Sequence, residues 1–151
     1  MIDLNVEIID MNTVHLDEYA ELYAAVFNSE PWNDSWTKET AVIRIENMMK
    51  TNTFIGKAIY CKDDLKGMIW GQKEQFFNGI HFQIQEFCVK TSEQSKGYGK
   101  ALLQALKEEL SAIGVTNTYL ITSKGERTEG YYAKRGFITS DYMVLMTDSN
   151  R

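Results

Sequence analysis

A polar loop rich in glycine and lysine lies between two apolar segments, and its residue types suit an anionic ligand. Gly97 and Gly99 are followed by the one-sided apolar stripe of a long helix. The start of a helix leaves backbone N–H groups unpaired and carries the positive end of the helix dipole. Glycine lets a ligand approach the backbone closely, and Lys96 and Lys100 add cations. The loop is therefore predicted to hold a phosphate-bearing group, and a pyrophosphate suits it.

The same stretch resembles the acyl-CoA-binding motif of the GNAT N-acetyltransferase superfamily. The match is Gln94-x-x-Gly97-x-Gly99-Lys100-Ala101, directly after the extended segment Glu86-Phe87-Cys88-Val89. It lacks the Gly-Lys-Ser/Thr ending of a P-loop and the third glycine of the dinucleotide fingerprint. The resemblance implies acetyl-CoA as the acyl-donor cosubstrate. The residues expected to contact it are Cys88, Val89, Gln94, Ser95, Lys96, Gly97, Tyr98, Gly99 and Lys100.

A second cluster, residues 128–137, resembles the other GNAT signature, a short helix with an aromatic-Tyr-x-x-x-Gly-Phe ending. In the family, the tyrosine at the position of Tyr132 commonly lies beside the CoA sulfur. A phenol with a pKa near 10 can protonate a leaving thiolate, so the resemblance implies a general acid here. The alternative is a core tyrosine at a helix end. The family often has an asparagine where this chain has Gly125, so the corresponding cofactor contact is either lost or supplied by Ser123 or Lys124.

Acetyl transfer to an amine also needs a proton acceptor, because an alkyl ammonium with a pKa of about 10.4 must lose a proton before it attacks. Glu86 on the central strand is the candidate base, directly or through water. A structural carboxylate and a group that only attracts the ammonium are equally open alternatives. The resemblance also implies that a backbone N–H of Cys88 or Val89 faces the negative charge that develops during the reaction. No metal and no covalent intermediate are implied.

Two tryptophans in a short connection after the first helix are candidates for the acceptor site. Trp32 and Trp36 lie beside the carboxylates of Glu30 and Asp34. In GNAT proteins this connection commonly borders the acceptor, so the four residues are candidates to line a pocket for a cationic amine. The tryptophans can instead pack two helices together, which we favour for at least one of them. The expected substrate is a small-molecule amine such as a polyamine or an aminoglycoside, with amino acids and protein amines left open.

Composition excludes several other classes of protein. The net charge of −5 argues against a general nucleic-acid binder, which needs a basic face. No segment is long and apolar enough for a membrane span, and the first residues lack a signal-peptide core, so a cytoplasmic protein is expected. Cys61 and Cys88 lack the spacing of a metal site, and His15 and His81 are far apart, so no zinc cluster is expected. Without a signal peptide, the two cysteines are expected to be reduced core residues.

The order of periodic segments predicts a mixed α+β fold. The resemblance implies a GNAT-like mixed, mostly antiparallel central sheet flanked by about four helices, in a single domain over residues 1–151. The first helix is expected to begin near Asn12 or Thr13, the second after Thr37, the third after Gly99, and the fourth to cover residues 126–135. The predicted strands are residues 4–9, 53–61, 65–75, 80–89 and 115–122, with one or two closing strands within residues 137–147.

The predicted activity is direct acetyl transfer, and two other readings of the loop stay open. One is a non-catalytic acyl-CoA sensor or interaction module, which would keep the loop without the chemistry. The other is a nucleotide-phosphate binder. Many GNAT relatives pair through their terminal strands, so the resemblance makes a homodimer one expectation for the oligomeric state.

Overall fold

Strands and helices follow one another in the predicted order as far as residue 133. The computed structural model describes residues 5–150. Its strands are β1 (Val6–Asp10), β2 (Phe54–Cys61), β3 (Asp64–Phe76), β4 (Gly79–Val89) and β5 (Val115–Leu120). Its helices are α1 (Leu16–Phe27), α2 (Lys38–Met49), α3 (Tyr98–Ala112) and α4 (Glu129–Ala133). The predicted mixed α+β fold, with a mostly antiparallel sheet and four helices, is therefore confirmed.

The five strands form one sheet in the order β1-β2-β3-β4-β5. Strands β1 to β4 are antiparallel neighbours, whereas β5 pairs in parallel with β4 after the crossover through α3. Lys62 and Asp63 connect β2 to β3 with φ angles of 52° and 65°, the left-handed values that tight hairpin turns need. The antiparallel meander and the parallel fifth strand are both as the sequence predicted.

Local capping explains where the helices begin and end. The side chain of Asn12 accepts a hydrogen bond from the backbone N–H of Val14 and starts a single 3-10 turn that leads into α1. Thr37 caps α2 in a reciprocal exchange with Thr40. At the other end of α3, Gly114 adopts a φ of 86°, which favours glycine. These caps lie where the sequence placed them.

The sheet carries a bulge in β4 opposite Gly71. Trp70 pairs with Glu86 and Gly71 pairs with Ile84, so Gln85 is an extra residue in β4. A Cβ atom on Gly71 would overlap the backbone carbonyl of Gln83 across the ladder, so no side chain fits there. Bulges re-aim the side chains that follow them. This one lies immediately before Glu86.

The two faces of the sheet are covered by different helices. One face packs against α1 and α2 through a cluster that includes Tyr23, Ile45 and the fully buried Trp70. Helix α3 contacts β2, β3 and β4 through its buried leucines, among them Leu102 and Leu106. Because neighbouring residues of a strand point to opposite faces, α3 lies on the side opposite α1 and α2. The sheet is thus a central layer, and β4 is held from both sides.

The chain forms two compact units, which divide after Ile121. The first contains the sheet with α1, α2 and α3, and the second contains α4. The prediction of one or two closing strands within residues 137–147 is wrong, since none is described there. An apolar run becomes a strand only where a neighbour completes its hydrogen bonds and covers one face, and here Tyr142, Val144 and Leu145 are exposed. The single domain over residues 1–151 stays a prediction.

Smaller differences concern the ends of elements. Leu4, which was predicted to begin the first strand, lies outside the described residues. Helix α4 covers five residues, fewer than predicted. Cys61 and Cys88 are buried free thiols, as expected. Within residues 5–150, no helix combines the length and apolar content that a bilayer crossing needs, and no cluster of His, Cys, Asp and Glu is placed to hold a metal ion.

The bulge gives a direct test of the sheet. The change Gly71→Ala should destabilise the protein by about 1–3 kcal/mol, because the added methyl meets a backbone carbonyl that cannot rotate away. Urea unfolding followed by circular dichroism measures this loss. The matched control is Gly130→Ala in α4, where the added methyl meets mainly the end of the Glu126 side chain. Equal midpoints for the two variants would contradict the described register.

Candidate active site

The glycine–lysine loop, residues 90–97, joins β4 to α3 and turns through two left-handed residues. Ser95 has a φ of 67° and Gly97 a φ of 97°. Helix α3 begins after Gly97 without a side-chain cap, and its first turn contains no acidic residue. The helix is 15 residues long, so its dipole is developed at this end. The N–H groups of its first turn can therefore receive an anion.

Gln94 in the loop and Tyr98 at the start of α3, both predicted to contact the cofactor, differ in their surroundings. Gln94 donates from Nε2 to the carbonyl of Val89 at 3.1 Å, which ties the loop to the end of β4. Tyr98, predicted to contact the cofactor, is buried, and its hydroxyl interacts with Cys61; burial raises its pKa. Tyr98 can therefore offer its main chain to a ligand, while its side chain belongs to the core. Lys100 is exposed.

The lysines around the loop are organised by two carboxylates. Glu93 lies 2.9 Å from Lys96 and 3.1 Å from Lys66. Both ammonium groups lower the pKa of Glu93, and Lys96 has the larger effect. Asp64 lies 2.8 Å from Lys66 and 3.4 Å from Lys90. Lys96, which was predicted to add positive charge to the loop, is thus paired with a carboxylate. Three ammonium groups face two carboxylates, so the network keeps an excess positive charge beside the loop.

Pairing between β4 and β5 stops early. The last pair joins Ile84 to Leu120. Beyond it, residues 85–89 of β4 have no strand on that side within the first unit as described. A strand whose edge is left open presents backbone donors and acceptors to whatever lies beside it. This open edge leads directly into the glycine–lysine loop.

The ladder between β3 and β4 shows which backbone groups face the open edge. Lys90 donates its N–H to the carbonyl of Lys66 at 2.7 Å, on the β3 side. Successive residues of a strand point their N–H groups to opposite sides, so Cys88 also faces β3 and Val89 faces the open edge. Of the two backbone donors proposed from the sequence, only Val89 has this orientation. The thiol of Cys88 is buried, which raises its pKa and keeps it protonated.

The carboxylate of Glu86 joins three elements of the first unit. Its Oε2 accepts hydrogen bonds from the Tyr23 hydroxyl at 2.7 Å and from Nε and Nη2 of Arg44 at 3.0 and 2.7 Å. The side chain of Glu86 is 13% exposed and that of Arg44 is 35% exposed. Burial, with the neighbouring carboxylate, raises the pKa of Tyr23, so its phenol stays a donor. Glu86 is thus engaged through one oxygen.

The two tryptophans of the connection between α1 and α2 differ in their neighbours. The ring of Trp32 packs on Phe27 at the end of α1, with centroids 4.8 Å apart. The ring of Trp36 meets Tyr23 edge-on at 5.0 Å, and the Arg44 guanidinium lies 5.9 Å from its centroid. Trp32 packs against the end of α1, and its place in the acceptor site stays a prediction. Trp36 borders Glu86, Arg44 and Tyr23, which together form the Glu86 group.

The two acidic residues of this connection are both exposed, and one of them is held in place. Asp34 accepts a hydrogen bond from Nε1 of Trp36 at 3.0 Å. Asn28 braces the same segment by bonding the backbone of Trp36 at 2.7 and 2.9 Å. Glu30 lies at the start of the connection. The structure thus groups Trp36 and Asp34 with Glu86, and sets Trp32 apart.

A surface groove of about 490 Å³ runs along one side of α1. Its other wall is formed by Asp64, Leu65 and residues 90–92 at the start of the glycine–lysine loop. None of the four residues predicted for the acceptor lines this groove. Its concave shape therefore gives no support to the acceptor assignment, which depends on the residues around Glu86.

Tyr132 lies on α4, in the second unit, among aromatic neighbours. Its ring centroid is 5.4 Å from that of Tyr131 and 5.6 Å from that of Phe137. Gly136 turns the chain with a φ of 92°, and the N–H of Phe137 donates to the carbonyl of Tyr132 at 3.1 Å. The guanidinium of Arg135 covers the ring of Tyr131 at 3.6 Å, which makes Tyr131 a packing residue. The role of Tyr132 as an acid stays a prediction.

Sequence reasoning missed Arg44 and the hydroxyl of Tyr23. Tyr23 belongs to the apolar stripe of α1 and its ring packs in the core, but its hydroxyl donates to Glu86. Arg44 follows the buried Ala41 by three residues and precedes Met48 by four, so a charge lies on the inward face of α2. A cation at such a position needs a buried partner, and this was the available signal.

Solved structures of similar fold include several acetyltransferases. A possible acetyltransferase from Clostridium difficile 630 superposes with a TM-score of 0.82 at 15% identity, covering 97% of this chain and 99% of that one. An aminoglycoside acetyltransferase from an uncultured soil metagenomic sample, in complex with sisomicin, gives 0.73 at 16% identity, covering 100% and 99%. An aminoglycoside N-acetyltransferase in complex with CoA gives 0.73 at 15% identity, covering 95% and 94%. At these identities the likeness shows the fold.

Comparison with curated proteins gave no sequence match. The model of the acetyltransferase (GNAT) family matches residues 16–137, which is most of the chain. The matched range contains the open edge of β4, the glycine–lysine loop and the Tyr132 cluster. The chain therefore belongs to the acetyltransferase (GNAT) family.

Proposed function

We propose that this N-acetyltransferase uses acetyl-CoA as its donor and transfers the acetyl group directly to a primary amine of a small cationic molecule. The observation that carries the proposal is the uncapped start of α3 beside the open edge of β4. The diphosphate of acetyl-CoA needs the free N–H groups at the start of α3. The amide groups of its extended chain need the open edge of β4.

The residues of the first unit suit acetyl-CoA. The N–H groups from Gly97 to Lys100 would bind the diphosphate, with Lys96 and Lys100 adding positive charge. Gln94 would keep the loop against the end of β4 through its bond to Val89. When bound, acetyl-CoA supplies a thioester that an amine can attack and a thiolate that can leave. The other residues predicted to contact acetyl-CoA would do so as well, with Tyr98 contributing through its main chain.

Proton movement is assigned to Glu86 and Tyr132. The acceptor must lose a proton before it attacks, and Glu86 would take it directly or through water, or else only orient the ammonium. The phenol of Tyr132 would return a proton to the departing sulfur. The N–H of Val89 would face the negative charge that develops on the acyl oxygen. The phenol regains its proton from those released by the amine, so protons balance over one turnover.

A cationic acceptor is favoured by charge and by aromatic content. The chain carries a net charge of −5, and the connection between α1 and α2 holds Glu30, Asp34 and Trp36 close in sequence. Ammonium groups bind well to carboxylates flanked by aromatic rings. Two of the similar structures are aminoglycoside acetyltransferases, one of them with sisomicin bound. Cytoplasmic location and a homodimer stay predictions.

A non-catalytic acyl-CoA sensor is the competing proposal. The engagement of Glu86 by Arg44 and Tyr23 favours it, because a carboxylate that serves only to join three elements needs no substrate. The two proposals differ in turnover. A sensor binds CoA but releases no thiol from acetyl-CoA with any amine.

Replacing the proposed acid separates binding from chemistry. The change Tyr132→Phe should lower kcat at least about 100-fold, the usual contribution of a positioned acid, while leaving CoA affinity unchanged. Thiol release from acetyl-CoA measures turnover, and calorimetric titration measures affinity. The matched control is Tyr131→Phe, which removes the neighbouring hydroxyl and should retain activity. Full activity in Tyr132→Phe would remove this residue from the mechanism.

The phosphate role of the loop can be tested through thermal stability. CoA should raise the melting temperature, and Lys100→Glu should weaken CoA affinity about tenfold because it reverses a charge beside the diphosphate. The control Lys107→Glu makes the same change farther along α3 and should leave affinity unchanged. Protection by ATP equal to that by CoA would instead favour a nucleotide-phosphate binder.

A further inference from the structure

Only one of the two carboxylate oxygens of Glu86 accepts hydrogen bonds from described residues. The hydroxyl of Tyr23 and two nitrogens of Arg44 all donate to Oε2, and within residues 5–150 no hydrogen bond ends on Oε1. Each carboxylate oxygen can accept two hydrogen bonds. One oxygen is therefore held by the protein, and the other keeps its capacity for a donor from outside.

The two donors come from helices packed against the sheet. Tyr23 is 2% exposed, and its ring packs against Phe27 and Trp36. Arg44 presents a planar guanidinium whose two nitrogens converge on one atom. These donors come from α1 and α2, whereas Glu86 belongs to β4. The orientation of the carboxylate is thus set by three packed elements, and Oε1 has a fixed direction.

The surroundings of Glu86 suit an ammonium ion. The ring of Trp36 contacts Tyr23 and lies near the Arg44 guanidinium, and its Nε1 holds Asp34. Aromatic faces and carboxylates together attract ammonium groups. Glu86 also belongs to the segment of β4 that β5 leaves unpaired, three residues before Val89. Oε1 is therefore close in the chain to the groups proposed for the acyl donor.

We infer that Oε1 of Glu86 receives the ammonium of the acceptor, and that Arg44 and Tyr23 are positioning residues that act through this carboxylate. The inference rests on the proposed function and specifies its acceptor subsite. Arg44 also balances the charge of Glu86. Binding of the acceptor therefore depends mainly on a well-oriented hydrogen bond to Oε1, and less on the net charge of the subsite. A loosened carboxylate should therefore bind the amine less well and leave the acyl donor unaffected.

The test compares Arg44→Lys and Tyr23→Phe with the wild-type protein, using sisomicin and spermidine as acceptors. Each variant should raise the KM for the amine about tenfold, the effect of one lost hydrogen bond to a charged group, with the KM for acetyl-CoA unchanged. Glu86→Gln should raise the KM for the amine further. Calorimetric titration of the amine into the CoA-bound protein should show the same order of affinities without turnover.

The control is Lys50→Gln, which removes an exposed ion pair between Lys50, directly after α2, and Glu46 on α2, and should change neither KM value. If Arg44→Lys and Tyr23→Phe lower the melting temperature but leave both KM values at the wild-type level, the residues are structural and the inference is wrong. A wild-type protein that binds CoA but neither binds nor acetylates any amine overturns the proposed function, and this inference with it. Activity with an unchanged amine KM in all three variants overturns the inference alone.

Discussion

The early end of pairing between β4 and β5 is the constraint on which the first unit depends. A parallel ladder that continued past Ile84 would cover the backbone of residues 85–89 and leave no edge for an extended ligand. The bulge at Gln85 lies at the same point, opposite a glycine that cannot carry a side chain. The strand therefore changes direction and loses its neighbour just before Glu86, Val89 and the glycine–lysine loop. The exposure of the β4 backbone from Glu86 to Val89 follows from that break.

The contacts of Glu86 with Arg44 and Tyr23 stabilise the fold and also bear on the proposed function. A carboxylate that is mostly buried costs free energy unless donors satisfy it, and leaving a charged group unsatisfied costs about 1–3 kcal/mol or more. Arg44 and Tyr23 meet that need, and in doing so they join α1, α2 and β4. They use one oxygen only. The same contacts that stabilise the layer of helices on the sheet thus define the direction of the remaining oxygen.

Much of the fold follows from local pattern, because strands β1 to β5 and helices α1 to α3 each have a clear period and a capping or turn residue such as Thr37 or Gly114. The absence of closing strands was not predictable, since the apolar run from Tyr142 to Met146 has strand propensity but no strand is described there. Arg44 and Tyr23 were missed because their contacts with Glu86 span 42 and 63 residues. Spacing indicates which face a residue occupies, but not what it meets there.

The central claim is that the start of α3 binds the diphosphate of an acyl-CoA. The most direct measurement is a crystal structure of the protein grown with CoA and sisomicin. The account predicts diphosphate oxygens within hydrogen-bonding distance of the N–H groups of residues 97–100, and the pantetheine chain along residues 85–89 of β4. CoA bound elsewhere, or an empty loop at saturating CoA, would contradict it.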